Sequence, residues 1–338
     1  MRYFLLPISW IYVAAVSVRN LFFDFKLFSS KHIENGIGVG NLSMGGTGKS
    51  PLSIYIAELI LRNQGEPALL SRGYRRKTKG YIEVDGNHLS QNVGDEPLMF
   101  KQRFKDKVGV YVCENRILGS NKIRAANPHS TIIFDDVFQH RRVKTSLSIL
   151  TTPYGEPFYQ DYILPVGRLR EPSNNAHRSD CIVVTKCPDN LTDEDYNKVK
   201  NKLSKFSKPI FFSHIEYGEM KPMNERIHNI KNILLVTGIV DPSQLIKHLK
   251  DKYTIQSISF ADHHDFTVKD IEKIHEKFGT FDPKESIILT TEKDKVRLSK
   301  FDELIAKNSA LWYYQPISIC IHKEAQFESL IKEHVRKV

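Results

Sequence analysis

From residue 36 onward the chain alternates short apolar runs with longer segments of helical character. Gly36–Gly40, Ala68–Ser71, Val108–Cys113, Thr131–Phe134, Leu147–Leu150 and Cys181–Thr185 are strand candidates, and several are the continuous apolar runs of strands buried on both faces. Helix-like segments separate most of them, which predicts an α/β fold with a mostly parallel sheet covered by helices. A second series begins near Lys231, with strands expected at Ile233–Thr237, Ile255–Phe260 and Ser286–Leu289 and helices near Ser243–Lys250 and Val268–Phe278. Between the two series, Ile210–Tyr217 runs into a polar, Pro-containing stretch that ends at Ile230. A late strand, Leu311–Cys320, has no helical partner after it in the second series. These two extended segments are expected to run side by side where the halves join. The predicted organisation is an apolar N-terminal helix (1–34), a core domain (35–208), a linker (209–230, with 311–322 paired to it) and a smaller α/β domain (231–338).

Residues 3–18 carry no charge and are rich in aromatic and branched side chains. Sixteen helical residues cover about 24 Å, short of the ~30 Å hydrocarbon core of a bilayer. Arg19 then interrupts before Leu21, Phe22 and Phe23 resume the apolar run. Ala14-Ala15 is a poor cleavage site for an export signal. The readings left are a core helix, a short spanning anchor, and a helix lying in the membrane interface. Trp10, Tyr12 and the basic Arg19, Lys26 and Lys31 favour contact with anionic head groups.

Composition changes the picture in one respect. Of 338 residues, 41% are hydrophobic and 26% charged, as in ordinary globular proteins, but the net charge is +10. Such a balance calls for an anionic partner: nucleic acid, an anionic membrane or a phosphorylated substrate. The basic residues are dispersed and no recognition motif for nucleic acid is present, so nucleic acid is not expected as a partner. Cys113, Cys181, Cys187 and Cys320 are scattered with no CxxC pair, which argues against a disulfide framework or a zinc site.

The densest chemistry lies at Asn41–Pro51, NLSMGGTGKSP. Between an apolar strand and an apolar helix, Ser43, Met44, Gly45, Gly46, Thr47, Gly48, Lys49 and Ser50 form a phosphate-binding loop. Glycines let backbone N–H groups turn in around a polyphosphate, Lys49 adds a point charge, and the Ser50 hydroxyl is placed to ligate Mg²⁺. The strict pattern has glycine where this chain has Ser43, so the loop is a variant form. Asp135 and Asp136 follow the strand Thr131–Phe134, where such folds keep the carboxylates of the metal shell. Asp95, in GDEP, is either a base for an attacking hydroxyl or a helix N-cap. Asp262-His263-His264-Asp265 is a second polar cluster, readable as a cap or a metal site. Arg72, Arg116 and Arg170 each stand where a strand or loop ends, as phosphate clamps or surface ion pairs.

The order of motifs resembles the tetraacyldisaccharide 4′-kinase family of lipid A synthesis. The matching run is GVGNLSMGGTGKSP, LLSRGYRR, GDEPLMF, CENR, DDVFQHRR, LPVGRLREP, VTGIVDP, FADHHDF and TTEKDKVRL, reaching to about residue 298. Ser50 departs from the usual threonine but keeps the hydroxyl. The resemblance implies a P-loop NTPase-type core and a kinase that uses ATP and Mg²⁺. Its acceptor would be the 4′-hydroxyl of an acylated glucosamine disaccharide 1-phosphate at the cytoplasmic face of the inner membrane. It also implies Asp95 as general base, His263 as its partner, and Ser50, Asp135, Asp136 and Glu171 around the metal. Arg72, Arg116 and Arg170 would serve the phosphorylated acceptor. The competing expectation is a membrane-docked P-loop ATPase or GTPase switch, which shares the loop and the acidic pair but has no use for a base such as Asp95.

Overall fold

Strands that are apolar on both faces need cover on both sides, and the chain supplies it by crossing over with helices. The computed structural model describes residues 2–225, 229–306 and 310–335. Nine strands form the larger sheet, in the order Ile317–His322, Ile210–Tyr217, Cys181–Thr185, Val143–Pro153, Lys31–Asn41, Thr131–Asp135, Pro67–Ser71, Gly109–Val112 and Ile82–Glu83. The seven inner strands are parallel and the two edge strands antiparallel. The smaller sheet runs Thr254–Ser259, Asn232–Thr237, Ser286–Thr291, Trp312–Gln315 and Lys221–Pro222, with the last strand antiparallel to its neighbour. The fold is α/β, as the alternation of apolar runs predicts.

Cys181–Thr185 and Ile210–Tyr217 have the bounds expected of them. Lys31–Asn41 begins earlier than Gly36–Gly40, because its first residues pair with the long strand Val143–Pro153 across a register shift between Ile33 and Ile37. The expected strand Leu311–Cys320 is two strands divided at Pro316, which has no N–H to give to a ladder. Trp312–Gln315 joins the smaller sheet, whereas Ile317–His322 pairs with Ile210–Tyr217 and completes the larger one. The helix Glu324–His334 follows and sets Phe327 and Ile331 into the larger core, where the Phe327 ring lies 5.0 Å from Phe211 and 6.1 Å from Tyr55. The pairing of Ile317–His322 with Ile210–Tyr217 is the one expected where the halves join, whereas residues 324–334, expected with the second domain, pack on the larger core.

The N-terminal helix, Leu6–Asp24, is 19 residues long, about 28 Å. It runs straight through Arg19, whose guanidinium turns inward to donate to the Gln139 carbonyl at 2.7 Å. Only Ser9, Asn20 and Phe23 of this helix are buried. Ser9 donates to the Ile163 carbonyl, the Tyr12 hydroxyl to the Arg170 carbonyl, and Asn20 to Glu171 at 3.1 Å. The outward face is apolar: Ile11 is 72% exposed, Trp10 68% and Ile8 53%. A helix that turns polar groups toward the protein and apolar ones away is not a core helix, which corrects that reading. Tyr12, taken as an interfacial residue, faces the protein instead.

The packing of the last helix is directly testable. Phe327→Ala should cost about 3–5 kcal/mol, read as a lower urea midpoint with retained secondary structure. An unchanged midpoint would show that residues 324–334 are not part of the larger core.

Candidate active site

Parallel pairing sets Val39 beside Asp135, so the carboxyl ends of two inner strands open on one cleft of about 1020 Å³. The loop after Asn41 enters this cleft in two tight steps, Gly45 at φ +96 and Gly48 at φ +78. The positive φ at Gly48 favours glycine, and a Cβ there would also press on the Thr185 side chain at 3.0 Å. Asn41 ties the loop by donating to the Ser43 carbonyl at 2.6 Å and the Thr47 hydroxyl at 2.7 Å. Ser43 is buried and bridges to Leu169, and Met44 N–H donates to the Arg168 carbonyl, so this variant start is anchored from the side. Met44, Gly45 and Gly46 are exposed, and Lys49 opens the helix Lys49–Arg62. The loop thus presents backbone N–H groups and one lysine to the same space.

Carboxylates crowd the floor beneath it. Asp135 is 1% exposed and accepts from the Ser53 hydroxyl at 3.1 Å. Burial, reinforced by Glu96, pushes its carboxyl up to about 7. Asp136 lies 3.8 Å from the Lys49 ammonium and is held bidentately by Arg170 at 2.8 and 3.2 Å. Burial would raise its pKa, but Lys49 and Arg170 hold it well below the ordinary carboxylate range. The Ser50 hydroxyl donates to Glu96 at 3.2 Å. Ser50, Glu96, Asp135 and Asp136 all line this cleft, and oxygen groups of this kind suit a hard divalent cation.

The opposite wall is built jointly by a helix of the larger body and residues of the smaller one. Gly94, at φ +95, caps the helix Asp95–Phe104, and no side chain makes a cap hydrogen bond there. Asp95 is therefore not an N-cap; its Oδ2 accepts from His263 Nδ1 at 2.9 Å and Arg297 Nε at 2.8 Å. Burial would raise the Asp95 pKa, yet the His263 hydrogen bond and the Arg297 charge bring it below its usual value. His263 sits in the left-handed region at φ +57, with its N–H on the Gly238 carbonyl, and its ring lines the cleft in front of Asp95. Lys293 Nζ is 3.1 Å from His263 Nε2. Arg297 is 2% exposed and also binds Asp294, itself fully buried, at 2.8 Å and the Gly238 carbonyl at 3.0 Å.

Not every residue singled out in the sequence comes to this cleft. Glu171 is 1% exposed and away from it; its Oε2 accepts from Arg178 at 2.6 Å, Asn175 at 2.7 Å and Asn20 at 3.1 Å. These bonds engage Oε2 in fastening the N-terminal helix to the protein. Arg116 is buried against the Cys113 carbonyl, and burial brings its guanidinium down to about 10. Arg170 is taken up with Asp136 and Asn41. Arg72 stands exposed at the cleft edge. Four residues that no motif assigned are also present: Glu96, Lys293, Arg297 and Lys186, whose ammonium lies close to Gly46 of the loop. Each sits beside a residue or motif already noted, which was the signal available for them.

Phosphate holders and a carboxylate on one lobe, with an imidazole from the other bonded to that carboxylate, make up the working parts of a phosphate-loop kinase. The model of the family described as Tetraacyldisaccharide-1-P 4′-kinase matches residues 1–336, and the chain belongs to that family. A tetraacyldisaccharide 4′-kinase of Bacteroides thetaiotaomicron is 38% identical, over 98% of this chain and 93% of its own. The one of Flavobacterium johnsoniae is 37% identical, over 100% and 98%. The crystal structure of LpxK from Aquifex aeolicus in complex with ATP matches with TM-score 0.74 and 27% identity over 99% of both chains. The match continues past residue 298, where the quoted motifs end.

Arg297→Met should destabilise the protein by about 3–5 kcal/mol, because it leaves Asp294 buried without its cation. Adding Asp294→Asn should recover part of the loss, measured by urea unfolding of both variants. Additive losses would mean that the two side chains do not interact.

Proposed function

We propose that the protein transfers the γ-phosphoryl group of ATP to the 4′-hydroxyl of a tetraacyldisaccharide 1-phosphate at the cytoplasmic membrane surface. The observation that carries this reading is the 2.9 Å Asp95–His263 contact between lobes, opposite the phosphate loop. A hydrolytic switch has no use for such a pair; an alcohol acceptor does, because its hydroxyl must lose a proton. Lys49, Lys186 and the N–H groups of Gly45, Gly46 and Gly48 bind the β- and γ-phosphates. Mg²⁺ fits the donor set of Ser50, Glu96, Asp135 and Asp136, and when bound it neutralises charge on the phosphate oxygens.

The acceptor oxygen attacks the γ-phosphorus, and the bond from that phosphorus to the β–γ bridging oxygen breaks, releasing ADP. The hydroxyl proton passes to the Asp95–His263 pair, with His263 at the cleft wall and Asp95 carrying the balancing negative charge behind it. Arg297 keeps Asp95 ionised. Arg72, exposed at the rim, is assigned to the phosphate of the acceptor, while Arg116 and Arg170 hold the acidic floor. The outward face of the N-terminal helix enters the interface of the bilayer that contains the acceptor.

Two measurements test this. Incubation with γ-labelled ATP and a bacterial lipid extract should move label into lipid, and Asp95→Asn should abolish that transfer while leaving ATP affinity within about twofold. Label released only as free phosphate would favour the switch. The double substitution Ile8→Glu/Ile11→Glu should lower partition onto anionic vesicles by about tenfold or more without changing ATP affinity. Undiminished partition would remove the helix from membrane binding.

A further inference from the structure

The strand that leaves the first body, Ile210–Tyr217, and the one that returns to it, Ile317–His322, pair antiparallel with His214 opposite Cys320. Alternate residues of a strand point to opposite faces. Ser213, Ile215, Tyr217, Ile317 and Ile319 line the cleft, so His214, Glu216, Cys320 and His322 project from the far side of the same ribbon. There, one ligand-type atom from each of His214, Glu216 and Cys320 lies within 4.8 Å of the other two. His214 Nε2 is 3.8 Å from Glu216 Oε1.

The groups behind His214 complete the arrangement. His214 Nδ1 is 3.3 Å from His322 Nε2, and His322 Nδ1 is 2.6 Å from the Tyr196 hydroxyl. When His214 Nδ1–H donates to His322, the lone pair of Nε2 faces Glu216 and Cys320. Metal-bound imidazoles are oriented in this way, by an acceptor on their second nitrogen. We infer that His214, Glu216 and Cys320 bind a borderline divalent cation of the Zn²⁺ type, clamping the two strands that join the lobes. A thiol, an imidazole and a carboxylate suit Zn²⁺ and not Mg²⁺, and three protein ligands leave a fourth position for water. The site is separate from the catalytic carboxylates, on the opposite face of the sheet edge. Binding displaces the Cys320 thiol proton, so affinity rises with pH.

The test uses tag-free, full-length protein stripped with chelator and titrated with Zn²⁺ or with Co²⁺ as a spectroscopic probe. Wild type should retain one equivalent, melt at higher temperature with Zn²⁺, and show a thiolate-to-cobalt charge-transfer band with tetrahedral d–d absorption. Cys320→Ser and His214→Gln should each bind at least tenfold more weakly and lose the Zn²⁺-dependent rise in melting temperature. Cys320→Ser should also lose the charge-transfer band. The metal-free melting temperatures of both variants report their folding separately. Failure of wild type to retain metal, or equal binding by Cys320→Ser, would overturn the inference.

Discussion

The contact on which the active site rests is the buried charge node of Asp95, Arg297 and Asp294. Removing three charged groups from water costs several kcal/mol for each ion, and it is tolerated only when every partner is in place. Here Arg297 serves two carboxylates and the Gly238 carbonyl, while Asp294 also accepts from Gly238 N–H at 3.0 Å and the Thr291 hydroxyl at 2.7 Å. Asp95 opens a helix of the larger body, whereas Arg297 and Asp294 lie on the helix Glu292–Leu298 of the smaller one. The node therefore holds the lobes in register and in doing so brings His263 to the cleft. Structural and chemical demands fall on the same carboxylate.

A second constraint acts at the other end of the chain. The N-terminal helix spends its few polar groups on the protein, through Ser9, Tyr12, Arg19 and Asn20, and leaves aliphatic and aromatic groups outside. Glu171 anchors that helix, and its neighbour Arg170 binds both Asp136 in the cleft and Asn41 at the start of the loop. One short segment, Arg170–Glu171, thus ties the outward-facing helix to the phosphate site. In the proposed function this is how a bilayer-bound acceptor and a soluble nucleotide come to share one cleft.

Features carried by neighbours in sequence were legible before the structure. The loop is eight consecutive residues between a strand and a helix, and Cys181–Thr185 is a strand because its apolar run has no other way to be buried. Side-chain partners were less accessible, because an isolated charge does not name what it binds. Glu171 sits in a conspicuous motif yet serves Asn20, Asn175 and Arg178. Arg19 read as an interruption because only the fold brings the Gln139 carbonyl to it. Arg297 reaches Asp95 across 202 residues, a pairing that periodicity has no means to express. Pro316 was a local signal, and its missing N–H explains why one expected strand became two in different sheets.

The central claim is that His263 and Asp95 act as one proton-accepting unit. A carboxyl group held below its ordinary pKa is ionised above that value and loses activity only as the pH falls through it. His263→Ala removes the hydrogen bond that does most to lower the Asp95 pKa, so the group should then titrate at higher pH. The direct measurement is the pH dependence of kcat/KM for lipid phosphorylation in the wild type and in His263→Ala. The account predicts a slower variant whose acidic limb lies at higher pH than that of the wild type. An acidic limb that stays in place, or moves to lower pH, would contradict it.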